Sequence, residues 1–236
     1  MLVSRVVARA FDTNCFVVAP AAGEECVVVD PGVGVEDGLD AVLREHRLRP
    51  VAVLLTHGHI DHTFAVVPVC GAKDVPAFIA PDDRGQLTDP WSAVGIPHGT
   101  PMFGRLTWTE PSDVRPLADG DSLTLAGLDL AVSATPGHTP GSVVFHGDGR
   151  LFSGDLLFQG SIGRTDFPGG SFQELMGSLA RVVLPLPDET VVHCGHYDDT
   201  TVGLERATNP FLAELLEAGA GGAAGAKGAG PRRTGW

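Results

Sequence analysis

Residues 51–55, VAVLL, run without a break into THGHIDHT. A short, wholly apolar run reads as a strand buried on both faces, so the eight residues after it form a loop at the end of a buried strand. His57, His59, Asp61 and His62 place three imidazoles and a carboxylate within six positions of that loop. Side chains two apart on a loop can converge on one ion, and Asp61 and His62, lying past the turn, can reach a second ion beside it. Imidazole and carboxylate are the donors that suit zinc, iron or manganese. The bland alternative, a histidine-rich stretch of polar surface, would set four polar groups against a buried strand edge with nothing to do. The motif therefore reads as a metal site, and the chain must fold so that a sheet edge carries it.

Three more residues share the placement. His138 stands in TPGHTPGS, between strands expected at residues 128–132 and 142–145. Asp155 follows a strand expected at 151–153, and His196 follows one expected at 190–193. A lone histidine near a strand end is usually just a hydrogen-bonded loop residue, and a Gly-Asp pair is usually a turn. Here every candidate follows a buried strand by one to a few residues, which puts them on one rim of a sheet sandwich where distant segments meet. His193, three residues before His196, is a rival ligand of lower rank.

Elsewhere the β-branched runs at 3–7, 15–18 and 26–29 read as strands separated by turns. Residues 36–48, with Leu39, Val42 and Leu43 on one face, read as an amphipathic helix, as do residues 172–183, with Leu175, Leu179 and Val182 on one stripe. Residues 81–116 are irregular and rich in Pro and Gly; they read equally as a functional loop or as a surface excursion whose aromatics pack on the core. Asn209-Pro210 opens a short helix ending at Glu217. Residues 1–217 are thus expected to form one domain, and the Gly/Ala-rich residues 218–236 a disordered tail.

The chain has 236 residues and a formal net charge of −13. That balance argues against binding nucleic acid or docking on an anionic membrane. The four cysteines, Cys15, Cys26, Cys70 and Cys194, form neither a CxxC pair nor a disulfide framework. With no leader or membrane-length apolar run in view, a cytoplasmic protein is expected, as a monomer or homodimer.

In that order and at similar intervals, THGHIDH, PGHTPGS, SGD and the final GH resemble the metallo-β-lactamase superfamily over residues 3–216. The resemblance implies an α/β fold, a four-layer αβ/βα sandwich of two mixed sheets flanked by helices. It implies two divalent metal ions, zinc first and iron or manganese otherwise: one on His57, His59 and His138, the other on Asp61, His62 and His196, with Asp155 bridging. GSIGRTDFPGGSFQELMGSL and TTVGLERATNPFL look like the glyoxalase II branch, the hydroxyacylglutathione hydrolases and their short bacterial relatives. The activity implied is hydrolysis of a small thioester of the hydroxyacyl-glutathione type, or of another low-molecular-weight thiol, by hydroxide that Asp61 orients as catalytic residue. A thiolate, with a free pKa near about 8.5, leaves without a general acid, so no Ser or Cys nucleophile is needed and Cys194 is a small buried residue.

GRTDF also resembles the single-iron persulfide dioxygenases, and lactone hydrolases share the histidines; both are alternative activities. Asp155 stands against true β-lactamases, which place Cys or Ser at that position. The sequence departs from the glyoxalase II pattern at Tyr197, where glycine is usual, and in lacking a basic C-terminal extension that would hold glutathione. Arg164 and Tyr197 are candidate substrate contacts, although for Arg164 an ion pair with Asp166 is the favoured expectation.

Overall fold

The computed structural model describes residues 1–105 and 107–225. Six strands form the first sheet in sequence order: β1 (Leu2–Ala8), β2 (Thr13–Ala19), β3 (Glu25–Val29), β4 (Arg49–Leu54), β5 (Ala77–Ile79) and β6 (Val114–Pro116). β1, β2 and β3 pair antiparallel, and β3 to β6 pair parallel. The second sheet starts with the meander β7 (Ser122–Leu125), β8 (Leu128–Ala134), β9 (Val143–Gly147) and β10 (Arg150–Gly154). After the ribbon β11 (Leu157–Phe158) and β12 (Ser161–Ile162), β13 (Val191–Cys194) joins β10 in parallel, and β14 (Thr200–Thr201) closes the edge.

Alternation along the strands builds the layers. Phe16, Val18, Val27 and Leu54 of the first sheet meet Leu130, Val132, Phe145 and Phe152 of the second, forming the core between the sheets. The other faces are apolar too, so each needs a helical cover. Cys15, Val17, Val28 and Val53 lie under α1 (Glu36–His46) and α3 (Val66–Lys73), which bury Leu39, Leu43, Val66 and Val69. Val144, Leu151 and Val192 lie under Leu175 of α6 (Phe172–Ser178), Val202 of α7 (Val202–Thr208) and Leu212 of α8 (Pro210–Gly225). The result is the expected four-layer sandwich of two mixed sheets. α2 (Ile60–Thr63) carries the second half of the metal motif.

Three expectations change. The segment 81–116 holds two short helices, α4 (Pro81–Arg84) and α5 (Pro90–Val94). Each has proline in its first turn, and Gly95, at φ +67°, ends α5 in the left-handed region. They are too short to show periodicity in the sequence. The helix over 172–183 stays α-helical only to Ser178; Leu179–Val183 is a π-type turn. The last helix does not stop at Glu217 but runs to Gly225, through the first eight residues of the expected tail. Extending a formed helix is far cheaper than starting one, so the helix propagates into AGAGGAAG although four of those eight residues are glycine. Residues 226–236 of the expected tail lie outside the described residues.

Candidate metal centre

Strand ends bring the motif residues together. His57 and His59 leave β4, Asp61 and His62 sit on α2, His138 lies between β8 and β9, Asp155 follows β10 and His196 follows β13. Potential ligand atoms of His57, His59 and His138 all lie within 4.8 Å of one another, and so do those of Asp61, His62 and His196. Asp155 stands between the groups: its carboxylate is 3.4 Å from His138 Nε2, 3.3 Å from His62 Nε2 and 3.6 Å from His196 Nε2. His193 is not part of this cluster. Its Nδ1 is 2.8 Å from Asp199 and its ring stacks on Phe152 at 4.9 Å, inside the sandwich.

The backs of the rings are fixed by the fold. Thr56 Oγ1 donates to Asp30 Oδ2 at 2.6 Å, so its lone pair is left to accept from His57 Nδ1 at 3.0 Å. Asp30 Oδ2 takes His62 Nδ1 at 3.0 Å, and the backbone carbonyl of Arg164 takes His138 Nδ1 at 2.7 Å. These contacts turn each Nε2 to the centre, and for His57 and His138 they leave its lone pair free, the arrangement that metal-binding histidines require. The Nε2 atoms of His57, His59 and His138 are buried with no hydrogen-bond partner. Unpaired buried polar atoms are costly, and three of them facing each other fit a cation.

Electrostatics agree with the geometry. Burial, reinforced by the neighbouring imidazoles, holds His57 well below its ordinary pKa and His59 at about 3, so both are neutral donors. Burial opposes charge on Asp61, but His62 and a hydrogen bond from His196 outweigh it and hold the pKa at about 2. Asp155 is likewise held well below the carboxylate range, against burial, chiefly by His62 and His138. His62 is raised well above its ordinary value although burial opposes it, because Asp61, Asp155 and Asp30 surround it. The side of the rim that holds Asp61, His62 and Asp155 therefore favours positive charge.

A cavity of about 290 Å³ opens over both groups, with Phe11, Ile60, Val94 and Phe167 as its apolar wall. A wider hollow of about 550 Å³ adjoins it, lined by Phe158, Gln159, Ser161 and Tyr197. Arg164 borders both, but its guanidinium makes two bonds to Asp166, at 2.7 and 2.8 Å, and lies over the Phe167 ring at 3.8 Å. The favoured expectation, an ion pair, describes it. Tyr197 is 68% exposed and takes φ +65°, where glycine would be free of strain. Its carbonyl is held by Asn14 Nδ2 at 2.8 Å and Arg5 at 3.1 Å. All four cysteines are free and buried, and burial pushes Cys194 up to about 12, far from any nucleophile.

Sequence reasoning missed Thr13, Asp30 and Asp83. Thr13 Oγ1 donates to Asp61 Oδ2 at 3.2 Å. Asp30 heads a Pro-Gly turn after β3, a turn signal that carried no hint of a histidine partner. Asp83 lies in the segment without a readable pattern and accepts hydrogen bonds from two of the ligand loops.

The fold and this rim together define a class. A family model described as the metallo-beta-lactamase superfamily matches residues 8–196, and the chain belongs to that superfamily. Within it the chain falls in the glyoxalase II-like branch. An uncharacterized protein of Mycobacterium tuberculosis is 42% identical over 91% of this chain and 99% of its own length. The hydroxyacylglutathione hydrolase GloC of Haemophilus influenzae is 32% identical over 90% of this chain and 98% of that protein. Among solved structures, the BLEG-1 B3 metallo-beta-lactamase superposes with a TM-score of 0.80 at 37% identity, covering 89% of this chain and 99% of that one. TTHA1623 in a di-iron-bound form gives a TM-score of 0.74 at 39% identity, covering 89% of this chain and all of that one. Among the described residues, no helix is long and apolar enough to cross a membrane.

Proposed function

We propose that the chain is a dinuclear metal-dependent thioesterase acting on a small acyl-thiol of the hydroxyacyl-glutathione kind. The observation that carries this reading is the pair of three-ligand groups with Asp155 between them, under one cavity. The likeness to GloC supports the choice of substrate. His57, His59 and His138 would hold one ion, Asp61, His62 and His196 the other, and Asp155 both. Zinc is the first candidate, with iron supported by the di-iron relative. When bound, such a pair supplies Lewis acidity, acidifying water and polarising a carbonyl oxygen.

The remaining work falls to the chain. Asp61, itself fixed by Thr13, directs the attacking oxygen through its carboxylate. Phe11, Ile60, Val94 and Phe167 exclude bulk water from the acyl side, which strengthens every charge interaction in the site. The thiolate departs toward Phe158 and Tyr197 without needing an acid. Tyr197 borders the thiol side and not the reacting carbonyl. Tyr197→Ala should therefore raise KM by about three- to tenfold with kcat little changed, as loss of uniform binding does. Equal falls in kcat and kcat/KM would place the ring at the reacting centre.

The test of the activity is a panel of lactoyl and acetyl thioesters on glutathione and on N-acetylcysteamine, with metal analysis of the same sample. Two ions per chain and turnover of at least one thioester are expected. One iron per chain with oxygen uptake on a persulfide would replace the reading. The BLEG-1 likeness favours a second reading, β-lactam hydrolysis, and a chromogenic cephalosporin in the same panel decides it.

A further inference from the structure

Asp83 is fully buried on α4, outside the ligand set, yet each hydrogen bond of its side chain runs to a ligand loop. Its Oδ2 accepts from the Gly58 amide at 2.8 Å, between His57 and His59. The same oxygen accepts from Thr139 Oγ1 at 2.7 Å, and Oδ1 accepts from the Gly141 amide at 2.8 Å. Thr139 follows His138 directly. The carboxylate therefore ties the loop after β4, in the first sheet, to the loop after β8, in the second. The backbones come close enough to need glycine: a Cβ on Gly141 would lie 2.7 Å from Asp83 Oδ1, and one on Gly58 would lie 2.8 Å from the Asp83 carbonyl oxygen.

We propose that Asp83 is a positioning residue, a clasp whose carboxylate sets the separation of His57 and His59 from His138 and so tunes the three-histidine group alone. This rests on the ligand assignment above. All three partners donate, so only a group that accepts at both oxygens satisfies them; an amide in its place would set N–H against N–H or O–H. The Asp61–His62–His196 group hangs from Asp30, Thr13 and the β13 loop, and receives no bond from Asp83. This gives the segment 81–116 a role: α4 is a wedge between the two ligand loops.

The experiment is Zn²⁺ affinity by chelator competition, which needs no turnover. His196→Ala leaves the three-histidine group to be measured, and His59→Ala leaves the other. In the first background Asp83→Asn should weaken Zn²⁺ binding by about 10- to 100-fold, the usual effect of losing a support behind a ligand. In the second the change should stay under about threefold. Thr139→Val removes one donor and should cost about tenfold at the three-histidine group, the lower end for one hydrogen bond to a charged group; it decides the matter if Asp83→Asn does not fold. Unchanged affinity at the three-histidine group, or equal losses at both groups, would overturn the clasp. Failure of the unsubstituted chain to bind Zn²⁺ would instead sink the ligand assignment itself.

Discussion

Replacing Asp155 with alanine should lower kcat/KM by about a thousandfold or more and reduce the bound metal below two ions per chain. Its carboxylate reaches both halves of the site: it lies 3.4 Å from His138 Nε2 and 3.3 Å from His62 Nε2. Its loss removes the charge that draws a cation to both groups and the link that fixes their separation. Either effect alone weakens electrostatic stabilisation at the reacting carbonyl by the two to three orders of magnitude seen when one oriented charge or donor is lost. Asp155→Asn keeps the shape and removes the charge, so it separates the two contributions. Metal content by mass spectrometry and thioester kinetics on the same preparation provide the check. Two ions per chain in Asp155→Ala would contradict the bridging role, and unchanged kcat/KM would contradict the site.

The parts of this site that could be read in the sequence were those whose chemistry is local. THGHIDHT announces itself because four donors crowd one loop after an apolar strand. His138, Asp155 and His196 were legible through a shared position, since each follows a buried strand and strand ends share a rim. The four layers were implied by the resemblance those motifs carry; the structure gives the reason, since the strands bury apolar side chains on both faces and so demand cover on both sides. What stayed hidden acts at a distance. Asp30 reaches Thr56 and His62, 26 and 32 positions away, and Asp83 reaches Gly141, 58 positions away. No local pattern separates such an aspartate from one in a solvated turn. Arg164 shows the converse. Its charged side chain pairs with Asp166, as the favoured expectation had it, and the residue serves the site through its backbone carbonyl on His138 instead.

Asp30 is where this hidden layer should show its largest effect on stability. It is 2% exposed and accepts three bonds, from the Thr56 amide at 2.8 Å, Thr56 Oγ1 at 2.6 Å and His62 Nδ1 at 3.0 Å. Asp30→Ala leaves a buried amide and hydroxyl without acceptors, and a buried, positively charged imidazole without its closest fixed partner. Breaking one side of a buried charge pair costs about 3–5 kcal/mol. For a domain of this size that is about a 10 °C fall in Tm. The metal-free protein is the right sample, because a bound cation would stabilise the folded state by mass action and mask the loss. Asp30→Asn should recover part of the fall, since its amide oxygen can still take one donor, but it should not restore His62. His62 then turns freely, so Zn²⁺ binding at the Asp61–His62–His196 group should weaken by about 10- to 100-fold in both variants. A Tm within about 2 °C of the parent would show that the three contacts carry little energy. A large fall in Tm with unchanged Zn²⁺ affinity would show that Asp30 supports the strand end and not the ligand.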